Sequence, residues 1–477
     1  MIKANTRDGK LDLSINDCID TLYYLNDMFE EVDIMFTDKL SNTFLLMFGP
    51  VLIGSLNSEV HSKYHVAIHV AYFMLVQIFS IFKNYYIVDA FASCLMASEI
   101  PVLLLDICKK NPPISPPEHV EFQNSVKVKN PIRLAMFSFL KCKDDNLVCL
   151  SLLSLQGIIT NKGISICVLK SLGLLAYNKR EEEDEFLAYD EETMDILLGI
   201  YTTYPLFRFT NYHIVSKIIY ELTTGMTTQS LPEYEMKVRK ACCNNISKLQ
   251  KLLESKEFSD SILNFFDEEW EFVKKITFDA VVPIKNHNIF PVIYEDEKIN
   301  LDQKQPSSDI ELCQALVKIF FLMRKFIFQL NSEDPNIYPF VYSSHMKDWQ
   351  CGNTYNTQSL MFTRVYIEND EHPIKYMAED DDFFILIEPD LYRIDFGVVK
   401  AIQKWRYFTA AIGKKEHLLL LKGKNKSKFL LRFEESENFY QEVEKITFKI
   451  SSSRSLEMSM VESFLMDSCV SFLNRYV

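Results

Sequence analysis

The feature that most constrains this chain is a change of hydrophobic period at about Gln358. Before that residue, apolar side chains recur every three or four positions, as they do on one face of an α-helix. After it, apolar and polar side chains alternate in short segments, as they do in half-buried β-strands. The sequence therefore predicts a mainly α-helical region followed by a small β domain.

The helical period begins at Ile15, where Ser14 is the expected N-cap, and it continues to Leu330. Only 12 glycines among 477 residues suit long helices better than a loop-rich all-β fold. Further helices are expected at about residues 34–56, 64–83, 86–109, 131–141, 146–159, 190–204, 210–223, 234–254, 258–275 and 308–330. Helices of this length with short connections are typical of an irregular α-solenoid, built from helical hairpins of the armadillo or HEAT kind.

Two polar interruptions divide the helical region. The stretch Lys109–Pro131 contains five prolines and predicts a linker, and Asn178–Glu192 predicts an acidic joint. The expected domains are a helical region at 1–110, a proline-rich linker at 111–130, a helical solenoid at 131–335, a β domain at 358–452 and a helical tail at 453–477.

The segments that follow Gln358 have the length and composition of strands. They are FTRVYI, FFILIE, GVVKAIQKW, RYFTAAI, EHLLLLK and KFLLRFE. In the last of them, Phe429, Leu431 and Phe433 share one face. A helix is expected next, with an apolar face made of Phe439, Val443, Ile446 and Ile450. About six strands closed by a C-terminal amphipathic helix are typical of a pleckstrin-homology-like β-sandwich.

The charge and cysteine content narrow the function classes. A net charge of -14 opposes binding along a nucleic-acid backbone, so no nucleic-acid partner is expected. The 11 cysteines are scattered and no apolar signal core follows Met1, which favours a reduced, cytosolic compartment. The apolar runs Phe44–Leu56 and Val70–Phe82 fall short of the roughly 20 residues that span a bilayer, so buried helices are expected there.

Two sequence patterns invite a metal interpretation. Glu388, Pro389 and Asp390 resemble part of a calcium-dependent lectin motif, but Trp405 is followed by Arg406 rather than by further oxygen ligands. We therefore expect a turn between two strands. The histidines His61, His65 and His69 would share a face on a continuous helix, but zinc needs a fourth ligand and Glu59 is the only acid close by in sequence. The helix is also expected to begin within this stretch, which would spoil the spacing.

The acidic stretch Ala378–Asp382 is expected to be a solvated turn. No nucleophile or phosphate-loop motif is present in the sequence. We accordingly predict no catalytic, cofactor-binding or metal-binding residue, and no enzymatic activity.

One candidate binding site remains. In LKGKNKSKF, which runs from Leu421 to Phe429, the turn formers Gly423 and Asn425 predict a hairpin loop. The loop would carry Lys422, Lys424, Lys426 and Lys428. Two interpretations stay open: the lysines only keep strand edges from associating, or they bind acidic lipid headgroups or an acidic partner surface.

Several stretches in order resemble one eukaryotic family. They are LDLSINDCIDTLYYLNDMFE, LSNTFLLMFGPVLIGSL, VAYFMLVQIFSIF, DNLVCLSLLSLQGIITNKGIS, FSDSILNFFDEEWE, VKIFFLMRKFIFQL and EPDLYRIDFGVVKA. The family comprises the endosomal maturation proteins: Ema of flies, member A of C-type lectin domain family sixteen of mammals and the transparent testa trafficking protein of plants. Relative to these proteins, the chain is expected to lack the first part of the N-terminal FPL domain.

The resemblance implies a non-enzymatic cytosolic adaptor or scaffold in endosome-to-lysosome transport and autophagy. Its implied partners are Rab GTPases and the HOPS tethering complex, and its implied location is the cytoplasmic surface of endosomal, lysosomal or Golgi membranes. Two alternatives remain open: catalysis of nucleotide exchange on a Rab, and support of a partner ubiquitin ligase. The lectin name of one member does not imply a sugar-binding fold.

Overall fold

The structure is a computed structural model. It describes residues 2–31, 34–56, 66–101, 129–175, 190–203, 206–223, 231–253, 259–278, 305–330, 334, 349–358, 362–367, 374–378, 380–413, 417–423, 427–433 and 436–474. The chain divides into two compact units. The first comprises Met1–Leu252, Phe266–Asn336 and Phe472–Val477, and the second comprises Leu253–Phe265 and Ile337–Ser471.

The part of the chain before the sheet is mainly helical, as predicted. Its described helices are α1 (Ile2–Glu31), α2 (Ile34–Gly54), α3 (Ile68–Ile81), α4 (Tyr85–Met96), α5 (Pro131–Leu140), α6 (Asp145–Thr160), α7 (Ile166–Ser171), α8 (Glu191–Ile200), α9 (Phe209–Thr223), α10 (Leu231–Leu253), α11 (Ser259–Lys274) and α12 (Asp309–Leu330). None of the described helices is both long enough and apolar enough to cross a bilayer.

The helices of the first unit pack in two rows. In one row α1 contacts α3, α3 contacts α6, α6 contacts α9 and α9 contacts α12. In the other, α2 contacts α4, α4 contacts α5 and α5 contacts α8. Chain neighbours such as α3 and α4, α5 and α6, and α8 and α9 join the rows. The apolar faces that the helical period predicts are therefore buried between successive helices.

Two predicted helix boundaries in this unit are wrong. Ser14 is not an N-cap, because α1 begins at Ile2 and continues through it. The helix expected to reach residue 109 ends at Met96, where Ala97 takes an extended conformation. The short helix α7 was not predicted, since six residues are too few to show a helical period. The proline-rich stretch at 111–130 lies outside the described residues except for its last two positions.

The second unit contains an antiparallel sheet. Its strands are β1 (Thr354–Asn356), β2 (Phe362–Ile367), β3 (Ile374–Ala378), β4 (Phe383–Pro389), β5 (Phe396–Lys404), β6 (Thr409–Ile412), β7 (Leu418–Lys422) and β8 (Lys428–Arg432). Their order in the sheet is β1-β5-β4-β3-β2-β8-β7-β6. The six predicted strands are present, and β1 and β3 were missed.

The sheet consists of two runs of sequential antiparallel neighbours. Strands β2 to β5 form one run and β6 to β8 form the other. The runs meet where Tyr366 and Ile367 pair with Arg432 and Leu431. The β4–β5 connection therefore belongs to the first run, and the β7–β8 connection belongs to the second.

A bulge interrupts the pairing of β4 and β5. Leu386 pairs with Ala401, but Ile387 pairs with Val399, so Lys400 is an extra residue with no opposite partner on β4. Leu386 and Ala401 pack in the cluster on one face, whereas Ile387 and Val399 pack in the cluster on the other.

The core of the second unit is predicted well. The larger cluster, here called the inner core, contains Val365, Met377, Phe384, Leu386, Trp405, Phe408, Leu419, Leu421, Leu431, Phe433, Phe439, Ile446 and Ile450. Its last three members lie on the final helix, α13 (Ser436–Asn474), and Val443 packs against the same cluster. The expected closing of the sheet by an amphipathic helix is therefore confirmed.

The final helix continues without a break through residue 453, the expected start of a separate helical tail. Beyond the inner core, Glu457 forms a buried ion pair with Arg406. Arg454 Nη2 also donates to the carbonyl oxygen of Phe408 at 2.7 Å. These contacts tie the middle of α13 to the 3-10 turn Trp405–Tyr407 that joins β5 to β6.

Candidate functional site

The predicted lysine hairpin is formed by β7 and β8, which pair so that Lys422 lies opposite Lys428. Both side chains are exposed, and neither forms an ion pair with a described residue. Lys424 and Lys426 lie outside the described residues. The hairpin thus brings two of the four predicted lysines together at its base.

A small polar cluster fixes the base of this hairpin. The Gly423 N–H donates to the carbonyl oxygen of Ser427 at 2.8 Å. The Ser427 hydroxyl donates to Gln403 Oε1 at 3.1 Å. Because Gln403 is near the C-terminal end of β5, the hairpin base lies beside that end of the strand.

The acidic turn of Asp380 to Asp382 is beside the same end of β5. Asp380 Oδ1 accepts hydrogen bonds from the N–H groups of Asp382 and Phe383, at 3.0 and 2.9 Å. Asp381 pairs with Lys449 at 3.4 Å. Two of the three carboxylates in this turn, those of Asp380 and Asp381, therefore already have partners within the second unit.

The opposite end of β4 and β5 contains the Glu-Pro-Asp stretch. Glu388 forms ion pairs with Lys375, which is 1% exposed, and with Lys400 at 3.3 Å. Burial by itself raises the pKa of the Glu388 carboxyl, but hydrogen bonds and charges from the two lysines outweigh it and hold that pKa below its usual range. Glu388 is thus committed to a structural ion pair.

Asp390 begins a turn, as the sequence predicts. Its Oδ1 accepts from the Tyr392 N–H at 2.8 Å, and its own N–H donates to the carbonyl oxygen of Phe396 at 2.8 Å. Gly397 is needed for space rather than for a positive φ, because a Cβ there would lie 2.4 Å from Ile387 Cγ2.

The same turn exposes apolar side chains that sequence reasoning missed. Leu391, Tyr392 and Ile394 are 80%, 94% and 90% exposed. The signal was a run of large apolar residues between two turn-forming aspartates, Asp390 and Asp395. We call residues 390–395 the apolar tip. It lies at the end of β5 away from the lysine hairpin.

The histidine pattern does not assemble in the described residues. His69, near the start of α3, has Nε2 3.3 Å from Asp144 Oδ2, and His61 and His65 lie outside the described part of the chain. Among the described residues, no three His, Cys, Asp or Glu side chains are placed to share a metal ion.

In the helical unit, a groove of about 490 Å³ lies between α5 and α8. Its apolar part is formed by Leu140, Ile196 and Ile200. Its charged part is formed by Lys141, Glu191, Glu192 and Asp195. Glu192 also pairs with Arg133 at 3.3 Å and Asp195 with Lys237 at 2.5 Å, so part of the acidic charge is already neutralised.

Comparisons with known families, curated proteins and solved structures gave no match. The geometry of the described residues offers exposed lysines at one strand connection, an apolar tip at another and a partly acidic groove in the helical unit. These are features suited to binding surfaces.

Proposed function

We propose that the chain is a non-enzymatic adaptor whose second unit attaches to acidic membrane surfaces through the lysine hairpin. The observation that carries this proposal is the pairing of Lys422 with Lys428, both exposed at the base of one tight hairpin. A lysine near an anionic membrane contributes on the order of 1 kcal/mol, and this attraction weakens as salt screens it.

The order of the strands supports the finer interpretation of the second unit. A four-strand run joined to a three-strand run, with a helix packed on the core, is the arrangement expected of a pleckstrin-homology-like sandwich. In this proposal β1 is an addition that pairs with β5 at the edge of the sheet.

The two helical rows support an α-solenoid in the first unit. Each row buries its apolar side chains against the next helix, and the groove between α5 and α8 supplies a concave surface for a protein partner. On the family resemblance, we place this adaptor in endosome-to-lysosome transport and autophagy, peripherally on endosomal, lysosomal or Golgi membranes. Its proposed partners are a Rab GTPase and a HOPS-type tether.

Vesicle flotation of the full chain tests the membrane role. Phosphatidylcholine vesicles containing phosphatidylserine or phosphatidylinositol 3-phosphate should retain the protein, and added salt should release most of it. Changing Lys422, Lys424, Lys426 and Lys428 to Glu should abolish the salt-sensitive binding. A matched control changes four lysines that are exposed in the helical unit, namely Lys39, Lys143, Lys162 and Lys240.

Equal loss in the hairpin and control variants would mean that net charge, not the hairpin, governs binding, and would contradict the proposal. So would retention of salt-sensitive binding by the hairpin variant. A nucleotide-release assay with purified Rabs separates the adaptor from an exchange factor, because an adaptor leaves the release rate unchanged.

A further inference from the structure

The apolar tip is the most exposed apolar feature of the described residues. Leu391, Tyr392 and Ile394 have higher exposed fractions than any other large hydrophobic side chain described, the next being Tyr440 at 69%. Single exposed apolar residues are ordinary on protein surfaces. Three of them within four positions at one turn form a local apolar surface, and such surfaces mark interaction sites.

Hydrogen bonds hold the tip in this conformation. Asp395 has φ +72°, and its carbonyl oxygen accepts from the Thr357 N–H at 2.7 Å. Its carboxylate accepts from Gln358 Nε2 at 2.6 Å. The Phe396 N–H donates to the carbonyl oxygen of Arg393 at 3.2 Å. Together with the Asp390 turn, these bonds present the apolar side chains outward before any ligand binds.

The charges around the tip balance. The described charged residues of the tip and of the adjacent ion-pair cluster are Glu388, Asp390 and Asp395, which are negative, and Lys375, Arg393 and Lys400, which are positive. Residues 390–395 by themselves have one negative charge in excess, and the adjacent ion-pair cluster has one positive charge in excess. The lysines of that cluster therefore offset the extra aspartate of the tip.

We propose that the apolar tip inserts into the interfacial layer of a lipid bilayer, whatever the charge of the lipid. The apolar side chains of the tip are 80 to 94% exposed, and side chains so exposed can enter lipid without a pocket of matching shape. Tyr392 combines an apolar ring with a polar hydroxyl, which suits the bilayer interface. Arg393 can extend its guanidinium toward the headgroups while Leu391 and Ile394 enter the acyl region.

This inference rests on the proposed membrane role and supplies a second contact of different chemistry. Gln403 adjoins the lysine hairpin, whereas Phe396 adjoins the tip, and both lie on β5. The seven residue steps between them span roughly 23 Å of strand. The two contacts are thus separate in space, and each can be removed without altering the other.

The test uses the full chain with two vesicle types, pure phosphatidylcholine and phosphatidylcholine with phosphatidylserine. Changing Leu391, Tyr392 and Ile394 to Ser should weaken binding to the neutral vesicles at least about tenfold. Salt should hardly affect that binding. The matched control changes Tyr24, Met47 and Leu456 to Ser, because these side chains are also more than half exposed. The control should bind as the unmodified chain does.

A second measurement reports insertion directly. In Tyr392→Trp, the added indole should be quenched by lipids brominated in the acyl chain, beyond the quenching of the three native tryptophans. Failure of the unmodified chain to bind neutral vesicles, unchanged binding of the serine variant, or absence of quenching would each overturn the insertion. Failure to bind neutral vesicles would instead leave a protein pocket as the ligand of the tip.

The two proposals fail in different ways. Loss of salt-sensitive binding in the lysine variant without any neutral-vesicle binding would leave the hairpin role standing and remove the tip. Neutral-vesicle binding that depends on the tip, with no effect of the lysine variant on anionic vesicles, would do the reverse.

Discussion

The lysine hairpin and the apolar tip are both connections between neighbouring antiparallel strands, yet they differ in nearly every physical respect. The hairpin exposes charge and is closed by Gly423, Ser427 and a glutamine amide. The tip exposes apolar surface and is closed by two aspartates. The comparison shows how one sheet can present two contact chemistries, because each connection is stabilised by its own set of hydrogen bonds and leaves its remaining side chains free to face a ligand.

The largest expected effect concerns the support beneath the hairpin strands. Phe439 packs edge-on against Phe433 and His417, at ring-centroid distances of 5.8 and 5.7 Å. Phe439→Ala should lower the free energy of unfolding of the second unit by about 3 to 5 kcal/mol, because a buried ring is replaced by a cavity. Hydrogen exchange should rise more in β7 and β8 than in β4 and β5.

Phe448 provides the control, since it is 68% exposed on the same helix. Phe448→Ala should change stability by less than about 0.5 kcal/mol. Denaturant unfolding that shows equal effects of the two substitutions would refute the packing of Phe439.

The next effect concerns the ion pair beneath the tip. Glu388→Gln leaves Lys375 buried without its carboxylate and should cost about 3 kcal/mol near neutral pH. The pKa of Glu388 is lowered in the folded state, so the stabilisation is present above the unfolded pKa and is lost as pH falls through the folded value. The difference between variant and unmodified chain should therefore shrink on acidification below about pH 5.

Denaturant titrations at several pH values measure this difference. Glu444→Gln, on an exposed position of α13, is the control and should have little effect at any pH. A Glu388 effect that stays constant down to strongly acidic pH would show that charge pairing is not its source.

A smaller loss of stability is expected when the glycines of the two connections are changed. A Cβ at position 397 would meet the branched side chain of Ile387 at 2.4 Å, and it would meet Glu388 O at 3.0 Å. At position 423 it would meet the ends of the Gln403 and Ser427 side chains, which can rotate away. Gly397→Ala should cost about 1 to 3 kcal/mol, and Gly423→Ala less than about 1 kcal/mol. Thermal unfolding should be compared for the two variants. A larger loss for Gly423→Ala than for Gly397→Ala would show that the strands next to the tip adapt to an added methyl group more easily than the hairpin strands do.

The smallest effect on stability is expected for the aspartate caps. Asp390→Ala removes one acceptor from an exposed turn and should cost less than about 1 kcal/mol, while Asp380→Ala removes two accepted bonds and should cost somewhat more. For lipid binding, the order of the two variants should be reversed. Only Asp390→Ala should weaken binding to neutral vesicles in flotation, since it loosens the tip. Equal lipid binding of both variants would argue against a preformed tip.

Much of the fold could be predicted from local pattern. The helices follow a period of apolar residues, and six strands follow alternation, because in both cases one face is buried. Strand β3 was missed because Lys375 and Met377 are both buried in IKYMA, although one is charged. The partner that makes this lysine tolerable, Glu388, is 13 residues away in sequence. Alternation alone cannot reveal such a pair.

The candidate sites show the same limit. The lysine hairpin could be predicted because its turn residues and its charges are contiguous. The apolar tip was missed, although two turn-forming aspartates flank it, because large apolar residues near a strand end are ordinarily assigned to a core. Their exposure depends on Thr357 and Gln358, which reach Asp395 from a segment almost 40 residues earlier. Non-local hydrogen bonds determine which way such a turn faces.

The bulge at Lys400 makes β5 tolerant of the loss of one residue during evolution. In a regular strand, loss of one codon reverses the inside and outside assignment of every residue on one side of the deletion. At this bulge the flanking residues Val399 and Ala401 already face opposite clusters, as consecutive residues of a regular strand would. Deleting Lys400 would therefore make the strand regular and preserve every other assignment, removing only one of the two partners of Glu388. This position is where β5 can gain or lose a residue while both of its ends keep their faces.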